Sequence, residues 1–263
     1  MARIVVGQNL ESMGAVARIR VDNPARRNAM TYDMWRDLAS AVDRLGRDPA
    51  VRVVVVEGAG GHFVSGADIS EFEARRDTAE AVAAYNAAVD AATAALASCA
   101  KPTLARITGV CIGGGLGIAM ACDLRLAAED ARFAIPAARL GIAYPLEDVR
   151  RLVELVGPAA AKDILCTGRT LGAAEALALG LVNRVAAPDG LDRMVGETAG
   201  ALAANAPLSI AASRAAVRAM LPGATAADRA AAELAAERCA ASADYAEGRR
   251  AFMEKRPPRF QGS

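Results

Sequence analysis

Two glycine-rich segments carry the residues whose types and spacing could do chemistry. The first reads GHFVSGADI at 61–69, and the second reads GVCIGGGLG at 109–117. Glycines at the start of a helix expose backbone N–H groups at the positive end of the helix dipole. Such groups suit a phosphate or an oxyanion that develops during a reaction. Tight packing of the glycines against a neighbouring element is the structural alternative.

Spacing excludes the common nucleotide and hydrolase motifs. A GxGxxG fingerprint would need glycine at Ile118 or Met120, and the chain has no GxxxxGK[ST] loop. Phe63 stands where a GxSxG elbow around Ser65 would need glycine. The chain has one histidine, His62, so a multi-histidine metal site is excluded and no metal is predicted.

Taken together, the two segments resemble signatures of the enoyl-CoA hydratase/isomerase (crotonase) superfamily. Residues 63–69 match its F-x-x-G-A-D-[IL] loop. Residues 108–123 match its second signature, in which a Gly-Gly-Gly run opens a helix that ends in Cys-Asp. Similar motifs follow the family order at 27–29 (RNA), 179–183 (LGLVN) and 251–256 (AFMEKR). The resemblance therefore covers almost the whole chain.

This resemblance implies the fold, the ligand and the assembly. The fold is α/β, a crotonase-like spiral of ββα units with an acyl-CoA site over 1–200 and a C-terminal helical trimerisation region over 201–263. The ligand is a coenzyme A thioester bound as substrate, with no permanently bound cofactor. The assembly is a homotrimer, or a hexamer built as a dimer of trimers. By motif match, the amides of Ala67 and Gly114 form the oxyanion hole for the thioester carbonyl.

The resemblance also assigns residues to coenzyme A and its acyl group. Residues 65–69 line the adenine pocket, and Phe252 and Lys255 reach coenzyme A bound to a neighbouring subunit. Arg26 is a candidate phosphate contact, with a solvated surface arginine as the alternative. The complete set is Arg26, Ser65, Ala67, Asp68, Ile69, Gly113, Gly114, Pro136, Phe252 and Lys255.

The catalytic acids of the resembling hydratases are missing. Hydration needs one group to activate water and another to protonate the α-carbon. The resembling enzymes carry one glutamate three residues after the middle glycine of Gly-Gly-Gly, where this chain has Gly117. They carry the second directly after a proline, where Ala137 follows Pro136. Standard two-glutamate hydration is therefore not expected.

Residues 140–148 supply the candidate replacements. Their Leu-Gly-x-x-Tyr-x-Leu pattern resembles methylmalonyl-CoA decarboxylase, although that enzyme has histidine where Ala67 stands. The glycine run also resembles 4-chlorobenzoyl-CoA dehalogenase, but the nucleophilic aspartate of that enzyme falls at Pro145. The catalytic candidates are Tyr144 as a donor and Glu147 as an acid. Asp148 is a further acid, and stabilisation of the helix dipole is the structural alternative for both Glu147 and Asp148.

Three functions remain open. The first is a hydratase-like lyase or isomerase that uses displaced acids such as Glu147. The second is an acyl-CoA decarboxylase-like enzyme that uses Tyr144. The third is a non-catalytic acyl-CoA-binding protein that retains the pocket alone.

Composition limits the binding partners and the cellular compartment that can be expected. The 263 residues have a formal net charge of +1, which gives no electrostatic case for nucleic acid or an anionic membrane. The start of the chain lacks the apolar core of a signal peptide, and the longest uncharged run, 107–122, is too short to span a bilayer. The five cysteines have no CxxC spacing, which predicts free thiols in a reducing cytoplasm.

Strands and helices must position the two glycine-rich segments, and the sequence pattern predicts where these elements lie. Thr31 can cap a helix whose Met34, Leu38, Val42 and Leu45 share one face. The predicted strands are 15–21, 51–56, 102–107, 124–127 and 132–135. Besides the helix after Thr31, the predicted helices are 78–97, 149–156, 159–166, 173–179, 191–204, 208–220 and 225–255.

Overall fold

The computed structural model describes residues 2–8, 15–75 and 77–263, which pack as two compact units divided between Glu197 and Thr198. The strands are β1 (Arg3–Gln8), β2 (Val16–Asp22), β3 (Val53–Gly58), β4 (Thr103–Ile107), β5 (Val110–Ile112), β6 (Leu124–Ala128), β7 (Arg132–Ala134), β8 (Leu171–Gly172) and β9 (Arg184–Ala186). The helices are α1 (Tyr32–Arg47), α2 (Phe72–Arg75), α3 (Ala79–Ser98), α4 (Gly114–Ala121), α5 (Leu146–Thr167), α6 (Ala173–Ala178), α7 (Leu191–Ala204), α8 (Pro207–Met220), α9 (Ala226–Ala240) and α10 (Ala243–Met253).

The first unit is built on a six-stranded sheet of order β1-β2-β3-β4-β6-β9. Strand β1 is antiparallel to β2, and every other neighbouring pair is parallel. The four valines at the start of β3 are fully buried, as expected for an inner strand covered on both faces.

A second, smaller layer of strands carries the glycine-rich segments. Strands β5 and β7 pair in parallel, and β8 pairs antiparallel to β7. Val64 joins this layer through a parallel bridge to Cys111 of β5, and Ala67 joins Met30 in the same way. The chain thus repeats one order: a strand of the large sheet, a strand or bridge of the second layer, and then a helix. This repeat brings the turns at Ala67 and Gly114 to adjacent positions.

Helix α1 shows how local sequence signals fix an element. The hydroxyl of Thr31 accepts a hydrogen bond from the amide of Met34 at 3.3 Å, which satisfies one orphan donor of the first turn. The apolar side chains predicted to share one face are all buried in the core. Thr78 caps α3 in the same way, through the amide of Ala81 at 3.1 Å.

Two predictions of secondary structure were wrong, and a third was right. Residues 225–255 form two helices, because Ser242 leaves the helical conformation and its hydroxyl caps α10 by accepting from the Tyr245 amide. The two helices predicted at 149–156 and 159–166 are confirmed, because Gly157, with φ +75° and ψ 164°, is not helical and divides α5 into two helical stretches. Strands β1, β5, β8 and β9 were missed. Three of these have two or three residues, too few for a periodic pattern to appear.

The second unit consists of helical segments and a C-terminal tail. The carboxylate of Asp244 accepts hydrogen bonds from the amides of Gln261 and Gly262 at 2.7 and 2.8 Å. Glu247 accepts from Arg256 and from the amide of Arg259. The large exposed apolar side chains of the second unit include Val217, Met220, Leu234, Phe252 and Met253. Among the helices that the structure describes, none is long and apolar enough to cross a membrane.

Candidate active site

The amide of Ala67 is turned away from the backbone hydrogen bonds around it. Met30 bonds to the residues on either side of Ala67: its amide donates to the Gly66 carbonyl, and its carbonyl accepts from the Asp68 amide, both at 2.8 Å. In a parallel bridge the flanking residues make these bonds, so the N–H of Ala67 points to the opposite side. No backbone acceptor for this N–H is found within the described ranges.

The amide of Gly114 lies at the start of helix α4. Gly113 precedes it with φ +54° and ψ −120°, a conformation that L side chains rarely adopt. The Gly113 amide extends the ladder between β5 and β7 by donating to the Ala134 carbonyl at 2.8 Å. The next N–H, that of Gly114, is among the first-turn donors that have no acceptor inside the helix.

The two amides are neighbours. An ideal Cβ placed on Gly114 would lie 3.9 Å from the nitrogen of Ala67, and one placed on Gly66 would lie 3.7 Å from the nitrogen of Gly114. Both Ala67 and Gly114 line the same cavity. Two adjacent N–H donors at the wall of a sheltered cavity are the arrangement that stabilises a developing oxyanion.

This cavity has a volume of about 710 Å³, within the usual range for a small-molecule site. Its apolar wall includes Trp35, Phe72, Val89, Leu140, Ile142 and Leu146, and helix α3 adds Asn86, Asp90 and Thr93. The ring of Trp35 packs directly under Gly114, where an added Cβ would lie 3.0 Å from the ring. The cavity can therefore enclose an apolar group beside the two amides.

A carboxylate occupies the space next to Gly117, one turn of α4 beyond Gly114. An ideal Cβ on Gly117 would lie 2.6 Å from Oδ2 of Asp148 and 3.4 Å from the hydroxyl of Tyr144. Asp148 is only 2% exposed and lines the cavity. Positions three residues apart share one face of a helix, so this carboxylate lies on the face of α4 that carries Gly114.

One arginine partners the buried Asp148. The Oδ1 atom accepts from Nη1 of Arg151 at 2.7 Å, and no hydrogen-bond donor to Oδ2 is found in the described part of the chain. Burial raises the pKa of Asp148, Arg151 lowers it, and Asp90 and Glu147 raise it further, so that the net shift is upward. A carboxylate with a raised pKa is a stronger base than an exposed aspartate.

The hydroxyl of Tyr144 reaches the start of helix α4. It donates to the Gly113 carbonyl at 2.9 Å, and this carbonyl also accepts from the amides of Leu116 and Gly117. Burial and the charge of Asp148 raise the pKa of Tyr144 well above its usual range. The single phenolic proton is therefore already engaged with the backbone that shapes the glycine turn.

Glu147 lines the same cavity but faces a different environment. Its side chain is 52% exposed, and its carboxylate accepts from Nε of Arg150 at 3.0 Å. Hydrogen bonds from Arg150 hold the pKa of Glu147 below its usual range. The structure thus places the acid singled out from the sequence at the rim and places its neighbour Asp148 beside Gly117.

The predicted coenzyme A loop forms a small ion-paired network. Nη1 of Arg26 donates to Asp68 at 2.6 Å and also to the hydroxyl of Ser70. Ser65 donates to the Arg26 carbonyl at 3.0 Å, and Ile69 is largely exposed. Asp68 caps the short 3-10 helix that follows by accepting from the amide of Ser70. Arg26 is therefore a half-exposed residue that braces this loop.

The remaining predicted residues belong to the cavity wall, to the second unit or to the loop after β3. Pro136 begins a 3-10 helix at the cavity wall, and Ala137 adds a methyl group there. Phe252 and Lys255 belong to the second unit, and both are exposed. The Nδ1 atom of His62 accepts from the Val110 amide at 3.3 Å, a bond that supports the loop.

The cysteines and acids of the described ranges form no metal site, and two buried thiols, those of Cys111 and Cys122, are held in the protonated form. Within the described residues, no group of three or more His, Cys, Asp or Glu side chains could hold a metal ion. Burial raises the pKa of Cys111 well above its usual range and that of Cys122 to about 12. Neither buried thiol is a nucleophile near neutral pH, because the reactive species is the thiolate.

Sequence reasoning did not anticipate the approach of Asp148 to Gly117 or the contact of Trp35 with Gly114. Both pairs are distant in the chain, and only the fold brings them together. The sequence signal for Asp148 was weak: Arg151 stands three residues later, a spacing at which the two side chains can pair on one helix face. Buried acids on the inward face of a helix are rare unless paired.

Comparison with known proteins shows extensive similarity. The family model described as Enoyl-CoA hydratase/isomerase matches residues 11–263. Crotonyl-CoA hydratase of Syntrophomonas wolfei is 34% identical over 95% of this chain and 96% of its own length. The peroxisomal Delta(3,5)-Delta(2,4)-dienoyl-CoA isomerase of Arabidopsis thaliana is 32% identical over 80% of this chain and 79% of its own. The solved structure of an enoyl-CoA hydratase/carnithine racemase from Magnetospirillum magneticum has a TM-score of 0.92 and 36% identity, covering 100% of this chain and 97% of that one.

Proposed function

The chain belongs to the enoyl-CoA hydratase/isomerase family, and on that premise we propose that it acts on an acyl-CoA thioester through an oxyanion hole. The observation that carries the proposal is the pair of adjacent amides, Ala67 and Gly114, at the wall of one cavity. The thioester carbonyl oxygen accepts a hydrogen bond from each N–H. The acyl group extends along the apolar wall, beside Trp35 and Phe72.

The chemistry of this arrangement is enolate formation. When a base removes a proton from the carbon next to a thioester carbonyl, negative charge develops on the carbonyl oxygen. Two N–H donors fixed near that oxygen stabilise the charge more in the transition state than in the ground state, which is the condition for catalysis. The backbone supplies both donors, so no side chain is consumed in this role.

Two family reactions fit this chemistry, a hydratase-like lyase and an isomerase, each with displaced acids. The relatives include proteins named as a hydratase and as an isomerase, so membership alone does not choose between them. Gly117 and Ala137 occupy the two positions where the resembling hydratases carry glutamate. Of the nearby acids, Glu147 is a candidate from the rim, and Asp148 is a candidate from inside the cavity.

The alternatives have less support. A decarboxylase-like enzyme needs Tyr144 to donate to the substrate, and its hydroxyl already donates to the Gly113 carbonyl. A non-catalytic acyl-CoA-binding protein remains an outcome of the test, since it requires the amides and the cavity but no acid.

The coenzyme A moiety and the assembly complete the proposal. Ser65, Asp68 and Ile69 border the adenine, Arg26 meets a phosphate, and Phe252 and Lys255 of a neighbouring copy close over coenzyme A in a trimer or a hexamer. The exposed apolar side chains of the second unit support its use as an interface. The free thiols, three of them buried, support a reducing cytoplasmic location.

The test is a panel of acyl-CoA thioesters followed for both binding and product formation. Crotonyl-CoA, 3-hexenoyl-CoA, phenylacetyl-CoA and methylmalonyl-CoA separate hydration, isomerisation, proton exchange and decarboxylation. Calorimetry with each thioester, and with free coenzyme A as the control, measures the contribution of the acyl carbonyl. Equal affinity for free coenzyme A and for every thioester, with no product, would contradict the proposal.

A further inference from the structure

We infer that Asp148 is the acid–base residue of this site, and that its carboxylate works from the space left open by glycine at position 117. The inference rests on the proposed acyl-CoA function and adds the group that moves the proton. The observation is geometric. The carboxylate lies where a side chain of residue 117 would begin, on the face of α4 that carries the Gly114 amide.

The space between helix α4 and Asp148 holds the carboxylate only because residue 117 has no side chain. A Cβ on residue 117 would lie 2.6 Å from Oδ2, closer than real Cβ contacts come, so any larger residue would displace the carboxylate. The absence of a side chain in the middle of a buried helix has a helix-propensity cost, since glycine is the poorest helix former after proline. Access of Asp148 to the cavity gives that glycine a function.

The surroundings prepare Asp148 to accept a proton. Arg151 binds Oδ1 and fixes the orientation of the carboxylate, while Oδ2 points toward Gly117. The groups that face the carboxylate are Arg151 and Glu147 from its own helix, Asp90 from α3, and Tyr144 from the preceding loop. Burial and the two acids make Asp148 more basic, and Arg151 limits that effect.

The reaction step balances without a co-reactant. Oδ2 takes a proton from C2 of a 3-enoyl thioester, and the C–H electron pair becomes the C1–C2 double bond of a dienolate. The carbonyl π pair moves to the oxygen held by the amides of Ala67 and Gly114. The dienolate then collapses: an oxygen lone pair restores the carbonyl and the C1–C2 π pair becomes the C2–C3 double bond. The π pair of the broken C3–C4 double bond takes the proton from Asp148 at C4. The product is the 2-enoyl thioester, and the carboxylate is regenerated.

One buried carboxylate favours this proton shift over the addition of water. Hydration needs a water molecule held and activated opposite the double bond in addition to a proton donor. The position of the second hydratase glutamate holds the methyl group of Ala137. We therefore expect isomerisation of 3-hexenoyl-CoA to be faster than hydration of crotonyl-CoA.

The experiment measures α-proton exchange in D₂O, which needs proton removal but no double bond. Butyryl-, octanoyl- and phenylacetyl-CoA are incubated with the full-length protein, and deuterium at C2 is measured by mass spectrometry. Asp148→Asn keeps the shape of the side chain and removes its basicity, so exchange should fall about 10²- to 10⁴-fold. Asp163→Asn makes the same change outside the cavity, in the helical stretch of α5 that follows Gly157, and should leave exchange unchanged.

Two further variants keep the test decisive if Asp148→Asn does not fold. Gly117→Ala adds one methyl group against Oδ2 and removes no functional group, so exchange should fall at least tenfold while free coenzyme A binds as before. Glu147→Gln tests the competing acid at the rim, and exchange should fall much less in it than in Asp148→Asn. In the wild type, exchange should rise with pH through the pKa of Asp148 and then level off, and Asp148→Asn should remove that rise.

The outcomes separate the inference from the proposed function. Exchange that persists in a folded Asp148→Asn protein, or that is lost in Glu147→Gln, would overturn the role of Asp148. A wild-type protein that binds thioesters without exchange would also overturn it, while leaving thioester binding intact. A wild-type protein that does not distinguish thioesters from free coenzyme A would overturn both.

Discussion

Replacement of Ala67 by proline tests the oxyanion hole most directly, because it removes one N–H and no polar side chain. The native structure uses that N–H in no backbone hydrogen bond within the described ranges. The two bonds that hold this strand to Met30 involve the Gly66 carbonyl and the Asp68 amide, and both can remain. The substitution therefore removes a donor from the cavity without removing a bond from the fold.

Because the lost N–H serves the cavity and not the fold, the effect of Ala67→Pro on turnover can be estimated separately from its effect on stability. Loss of one oxyanion donor costs about 10²- to 10³-fold in turnover, or about 2.7–4 kcal/mol of transition-state stabilisation. No native backbone hydrogen bond of the described ranges is lost, so any change in stability comes from the backbone restriction that proline imposes at position 67 and on Gly66 before it. The ground-state affinity should fall less than turnover, because the charge on the oxygen is largest in the transition state.

The assay compares turnover of 3-hexenoyl-CoA, thioester affinity by calorimetry and thermal unfolding by circular dichroism. Ala67→Gly is the matched control, because it also changes the side chain and the backbone freedom but retains the N–H. A folded Ala67→Pro protein with turnover within threefold of Ala67→Gly would refute the oxyanion assignment.

Three further changes test other parts of the structure. Tyr144→Phe should lower stability by about 1 kcal/mol through loss of the bond to the Gly113 carbonyl, with turnover within a few fold. A large fall in turnover at unchanged melting temperature would instead support the decarboxylase-like alternative. Because hydrogen bonds from Arg256 and Arg250 hold the pKa of Glu247 below its usual range, Glu247 stabilises the fold above the ordinary glutamate pKa and loses this contribution as pH falls. Glu247→Gln should therefore lower the melting temperature at pH 7 and reduce its dependence on pH below the ordinary glutamate pKa of 4.5. Light scattering should show a trimer or hexamer at micromolar concentration, and a monomer would contradict the assembly. Lys255→Ala should weaken coenzyme A binding by about 1 kcal/mol or less, because an exposed ion pair contributes little.

Much of the fold could be predicted from the sequence. The signature segments implied the crotonase-like α/β fold, and the family match and the solved relatives confirm it. The caps at Thr31 and Thr78 act within one helical turn, so the sequence alone locates both helix starts. The break at Ser242 escaped prediction because alanine-rich sequence on both sides favours helix, and one capping serine is a weak signal against it.

The site was predictable only where the backbone path defines it. Gly113 requires a positive φ, and this requirement is visible in the glycine run itself. Whether an acid points inward depends on how α5 lies against α4, which no local pattern encodes. The choice between Glu147 and Asp148 is therefore decided by packing, and the sequence analysis favoured the residue that the fold leaves at the rim.

The two N–H donors belong to the main chain, so most mutations cannot remove them. Every replacement at position 67 except proline keeps its donor, whereas one base change can convert an acid into a neutral residue. A duplicated gene for such a protein would lose its proton-transfer group long before it lost the ability to polarise a thioester. It could then recruit a new carboxylate from another helix and change reaction without changing substrate class. In a site of this kind, the side chains change when the reaction changes. The backbone path, which supplies the two N–H donors to the thioester, is retained.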